Sequence, residues 1–142
     1  MKMKVLPFAA LIGGLLAICA PTFAHHGAAA YDMSKPLELK GAVVAQYLWI
    51  NPHPLIIVDY KDEKGDVQHW TTETGSTLAI SLIGWTRTTL KTGDVITIYI
   101  WKSKSGRMVG RLNKIILADG TVMRDTQTGA DNGARADTGV GR

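Results

Sequence analysis

The residue type with most chemistry to offer here is histidine, present at positions 25, 26, 53 and 69. His25 and His26 directly follow Thr22-Phe23-Ala24, whose small residues at minus-three and minus-one suit a signal peptidase. Cleavage after Ala24 leaves His25 with both a free α-amine and an imidazole. The amine nitrogen and the ring Nδ1 of one N-terminal histidine can chelate a single metal ion. A second imidazole then completes a three-nitrogen set, which suits Cu(II). His26 offers that imidazole, and the backbone nitrogen between the two residues is a further donor once deprotonated. The plainer alternative is that processing simply leaves two histidines on a loose chain end.

His53 is the other expected ligand. Pro52 and Pro54 restrict the backbone on both sides of it, so its direction is set before any ligand arrives. The alternative is a rigid turn whose histidine bonds the backbone. His69 and Glu73 stand at period two on one face of an expected strand. They are weaker candidates, either completing a metal shell or orienting one of its histidines. The alternative for both is an ordinary exposed strand position. Trp49 and Trp85 are candidates for a ligand-binding surface that stacks on a sugar or peptide, against a plain packing role. Lys102, Lys104, Arg107 and Arg111 form a basic patch around a turn, which a solvated loop also explains.

Composition removes several other chemistries. The only cysteine, Cys19, lies inside the apolar leader, so the processed chain has no thiol and no disulfide. Lys2 and Lys4 leave with that leader, reducing 16 basic residues to 14 against 12 acidic ones. That excess is too small to argue for nucleic acid or an anionic membrane as a partner. No nucleophile elbow and no phosphate-cradling glycine loop is present, and no catalytic residue is assigned.

The elements that must position these residues follow from patterning. Residues 1–24 have a Lys-rich start, an apolar run and a cleavage site, and are read as a signal peptide, the alternatives being a retained N-terminal anchor or a lipoprotein site at Cys19. The expected location is periplasmic or secreted, with no stable membrane insertion after cleavage. Residues 25–36 are irregular. Residues 37–50 form a first strand with Leu37, Leu39, Val43 and Ala45 on one face, and Gly41 marks a bulge. Residues 55–60 and 67–73 form a hairpin around Gly65. A short helix over 76–83 opens at Ser76 or Thr77 and stops at Gly84. Strands at 95–101 and 107–118 follow, with a short pairing at 121–123. Three strands, a helix and two strands is the order of an OB-fold, so the expected class is an all-β small barrel over 37–123, with a generic β-sandwich as the alternative. Residues 124–142, rich in Gly, Ala, Asp, Thr and Arg, read as a disordered tail.

Several motifs occur together: His25-His26-Gly27, Leu39-Lys40-Gly41, Trp49-Ile50-Asn51-Pro52-His53, Trp70 with Glu73, Gly84-Trp85-Thr86-Arg87, and Leu90-Lys91-Thr92-Gly93-Asp94. In these the chain resembles a family of small secreted bacterial proteins classed as a domain of unknown function. The resemblance covers most of residues 25–120. It implies export and the fold and supplies no activity. Where the family pattern has His-His-Ser, this chain has His-His-Gly, one hydroxyl fewer.

The expected function is copper binding or delivery through His25, with His53 and His26 and without turnover. The alternative is a metal-independent module whose tryptophans and loops bind a peptide, glycan or protein. A copper oxidase or oxygenase ranks below both, since it also needs an open coordination position and a substrate surface.

Overall fold

The computed structural model describes residues 28–125. Strands β1 (Leu37–Leu48), β2 (Leu55–Lys61) and β3 (Val67–Glu73) form an antiparallel meander. Helix α1 (Thr77–Ser81) follows, then β4 (Val95–Lys102), β5 (Val109–Ile116) and β6 (Val122–Arg124). The sheet order is β3-β2-β1-β4-β5-β6. A parallel pairing of Thr71, Thr72 and Glu73 with Val109, Gly110 and Arg111 closes the first five strands into a barrel. The expected all-β small barrel is therefore what the chain builds, with the helix between the third and fourth strands.

Local chemistry explains the elements. β-Branched and aromatic residues dominate β2 and β4, where they fit a pleated, half-buried surface. In the β2–β3 turn the Asp62 carboxylate accepts the backbone N–H of Lys64 at 2.9 Å and of Asp66 at 3.0 Å. Ser76 caps α1 by accepting the Ala79 N–H at 3.2 Å. Inside the barrel lie Leu39, Ala42, Val44, Ile56, Val58, Trp70, Ile96, Ile98, Ile100, Leu112 and Ile115, with Ile80 of α1 and Trp85 packed into the same core.

The face expected for β1 is corrected at its middle. Leu39 is buried, but beyond it Ala42 and Val44 point inward and Val43 is exposed. Gly41, at φ +76°, is the extra residue of a bulge that shifts the β1–β4 register between Lys40 and Ala42. A one-residue insertion moves every later side chain to the opposite face. The expected bulge therefore turns Val43 outward, and a second register shift between Val44 and Gln46, against β2, leaves Ala45 and Tyr47 half-buried.

The tail boundary is also corrected. β6 runs to Arg124 and pairs with β5, and Asp125 is buried. The ordered barrel thus extends two residues past 123, held by polar contacts that a composition count does not register. The rest of the expected tail, 126–142, lies outside the described residues, as does the expected signal peptide.

Candidate functional site

The loop between β1 and β2, residues 49–54, is fixed through its carbonyl oxygens. Thr77 Oγ1 donates to Ile50 O at 3.1 Å, and the Thr77 N–H donates to Pro52 O at 2.9 Å. Pro54 O accepts both the N–H and the Oγ1 hydroxyl of Thr74, each at 3.0 Å. The start of α1 and the end of β3 therefore clamp both sides of His53.

The His53 ring sits with Nδ1 3.0 Å from the carbonyl oxygen of Thr74. A carbonyl only accepts, so Nδ1 carries the proton and donates. In the neutral ring this leaves the lone pair on Nε2. The side chain is 26% exposed, so solvent reaches the imidazole while its orientation is held. Glu73 Oε1 lies 3.7 Å from Nδ1, and Glu73 Oε2 accepts from the Tyr31 hydroxyl at 3.4 Å.

Tyr31 belongs to an N-terminal strap laid along the end of β4. The Asp32 N–H donates to Lys102 O at 2.8 Å, and the Lys104 N–H donates to Ala30 O at 3.0 Å. Tyr31 and Ser103 form a bridge between those two bonds. Burial is the main force raising the Tyr31 hydroxyl above its usual range. The Glu73 charge adds to that rise and Arg111 opposes it. Tyr31, Glu73 and His53 thus form a chain of contacts from the incoming N-terminal segment to the loop.

Arg111 is Glu73's partner in the parallel β3–β5 register. Its side chain is 5% exposed, with Nε 3.9 Å from Asp125 Oδ2. It is not part of the basic patch expected around the β4–β5 turn, because Asp125 and the strap cover its outward face. Asp125 Oδ1 also accepts the Gly75 N–H at 2.8 Å, which ties the end of the barrel to the residue before the α1 cap.

The remaining sequence candidates fall in different places. His69 Nδ1 lies 2.6 Å from Asp59 Oδ1, an exposed cross-strand pair on β2 and β3. It shares the outward face with Glu73 but stands four residues away, about 13 Å along the strand. His53 and Glu73 are brought together, and His69 stands apart from them. Trp49 is half-buried and meets Tyr47 edge-on, with ring centroids 6.0 Å apart. The surface role expected of Trp85 is corrected: it is 1% exposed, and its indole N–H donates to Arg124 O at 3.0 Å. A ring enclosed on all sides offers no face to a ligand. His25 and His26 lie outside the described residues. Among the described residues, no three His, Cys, Asp or Glu side chains are grouped to hold a metal.

Sequence reasoning missed Tyr31 and Asp125, and placed Arg111 in an exposed basic patch. None has a spacing signal, since each acts through a partner far away in the chain.

No curated protein and no solved structure matches the chain. One family model does match, over residues 12–113, and it spans β1 to β4 and most of β5 together with His25, His26, His53, His69 and Glu73. The chain therefore belongs to the family of unknown function DUF6152.

Proposed function

We propose that the protein is exported to the periplasm or beyond and binds Cu(II) through its processed N-terminus. His25 supplies its α-amine and Nδ1, and His53 supplies Nε2. His26 lies next to the chelate as a further imidazole. The protein binds or delivers the ion, and no turnover is assigned to it.

The observation that carries this reading is the His53 ring. Its Nδ1–H is engaged by the Thr74 carbonyl at 3.0 Å, which leaves Nε2 as the basic nitrogen. Metal-binding histidines are commonly oriented in this way, with the second nitrogen donating to a carbonyl or carboxylate. The strap adds support. Tyr31 touches Glu73, and Glu73 lies beside His53, so the chain enters the barrel at this loop. His25 precedes Ala28 by three residues, a span of at most about 10 Å when extended. The thiol-free processed chain leaves nitrogen and oxygen as its main donors, a set suited to Cu(II).

The test is a Cu(II) titration of processed protein beginning at His25, followed by EPR. Stoichiometric binding with nitrogen hyperfine structure is expected, weakened about tenfold or more in His53→Ala. Affinity should fall as pH drops, because the amine and the imidazoles must lose their protons to bind the ion. A chain with one extra residue before His25 loses the chelating amine and keeps the barrel. Equal affinity in that chain would falsify the N-terminal site.

A further inference from the structure

Five large aliphatic side chains are exposed at the end of β1, on the β1–β2 loop, and on and just after α1. Leu82 is 80% exposed and Leu78 is 73% exposed, above every other large hydrophobic among the described residues. Ile83 and Ile50 expose nearly half of their surface, and Leu48 somewhat less. Leu78 and Leu82 are four residues apart and share one helix face. Ile50 lies beside the first turn of that helix through the Thr77 Oγ1 contact to its carbonyl, at 3.1 Å. The helix does not need these side chains for its own fold, because Ile80 is the residue it sends into the core.

We infer that this apolar tip docks reversibly on the surface of an anionic lipid bilayer, entering its interfacial layer without spanning it. Three features select a bilayer over another protein. The side chains protrude, and fluid hydrocarbon accepts a protrusion with no matching pocket. Several polar groups around them are already satisfied within the chain. Ser81 Oγ donates to Thr77 O at 2.6 Å, Thr77 Oγ1 to Ile50 O, and Ser76 Oγ accepts from Ala79 N. The Thr86 N–H donates to Thr89 Oγ1 at 2.8 Å, and Thr86 Oγ1 meets Thr88 Oγ1 at 3.2 Å. Leaving water therefore strands few donors, the condition that a low-polarity medium imposes.

The third feature is charge. No Asp or Glu occurs in residues 39–58 or 74–93, and Arg87 is exposed four residues after Ile83; Lys91 is exposed further on, with the Asp94 carboxylate accepting its backbone N–H at 2.8 Å. Cations at that level meet anionic headgroups. Trp49 and Tyr47 lie behind the tip, half-buried, with the Tyr47 hydroxyl donating to Thr86 O at 3.1 Å. Amphipathic rings of this kind favour the headgroup layer. The inference is independent of copper and is tested on metal-free protein.

The experiment is co-sedimentation of the processed chain with phosphatidylcholine vesicles, with and without phosphatidylglycerol, with tryptophan emission recorded. Binding to the phosphatidylglycerol vesicles is expected, weaker at high salt. The Leu78→Ser/Leu82→Ser variant keeps its core and should bind about a hundredfold more weakly. Arg87→Gln/Lys91→Gln should remove most of the preference for phosphatidylglycerol. Three outcomes would overturn the inference: no sedimentation of the unaltered chain, equal sedimentation of the double-serine variant, or self-association through the tip in place of vesicle binding.

Discussion

Tyr47 shows how one side chain links the site loop to the core. Its ring packs between Trp49 and Trp85, and its hydroxyl donates to Thr86 O at 3.1 Å. Burial raises this hydroxyl well above its ordinary value of 10.0. A group raised on folding gives stability that is complete below its unfolded pKa and lost as pH climbs toward the folded value. Stability should therefore hold up to about pH 9 and fall above pH 10. Tyr47→Phe should lose about 1 kcal/mol at neutral pH and show a shallower alkaline decline. Urea midpoints at pH 7 and pH 11 check both effects, and an identical decline in the variant would remove Tyr47 as its source. At this scale the sequence was legible where a residue carries its own constraint. His53 between two prolines is such a case in its fixed direction: its ring bonds the Thr74 carbonyl, as the rigid-turn alternative expected. Arg111 is not: its outward position on β5 reads as solvent-facing, and its cover comes from Tyr31 and Asp125, distant in the chain.

The elements depend on a few backbone positions. Gly41 turns β1 at φ +76°, a region where an added Cβ is strained even though nothing lies within 4 Å of it. Gly41→Ala should destabilise the barrel by about 1–2 kcal/mol through that backbone alone. The measure is the denaturation midpoint. An unchanged value would mean that the bulge relaxes and that the inward set of Ala42 and Val44 does not depend on it. Gly110 has a different reason to be glycine: a Cβ there would sit 2.9 Å from the Trp101 carbonyl oxygen, across the β4–β5 pair. The β3 boundaries were legible and those of β4 to within one residue, because alternation runs through β3 and through β4 as far as Ile100. The facing of β1 was legible only up to Gly41. A glycine announces that a bulge is present, and the face of each residue beyond it depends on the register with β4, which one strand read alone does not contain.

At the scale of the whole molecule, the barrel is closed by contacts between segments far apart in sequence. β3 meets β5 in parallel, α1 packs into the core through Ile80, and β6 adds a strand outside the closed five. The strand–helix order made the closure legible. The role of the last residues was not, because β6 has only three residues and the segment from 124 onward is polar in composition. Yet the Arg124 carbonyl accepts the Trp85 indole N–H, and Asp125 joins Gly75 to Arg111. Removing one partner from a buried charge pair leaves the other charge uncompensated, at about 3 kcal/mol or more. A chain ending at Met123 should therefore lose about 3 kcal/mol, and Asp125→Ala should account for most of it. Asp125→Asn keeps an acceptor for the Gly75 N–H while losing the charge, so its loss should be intermediate. Denaturant midpoints of the three chains decide the matter. Full stability in the truncated chain would make β6 a passenger and return the boundary to 123. The expected ordering would make residues 124–125 the bolt that joins the β5 edge to the loop before α1.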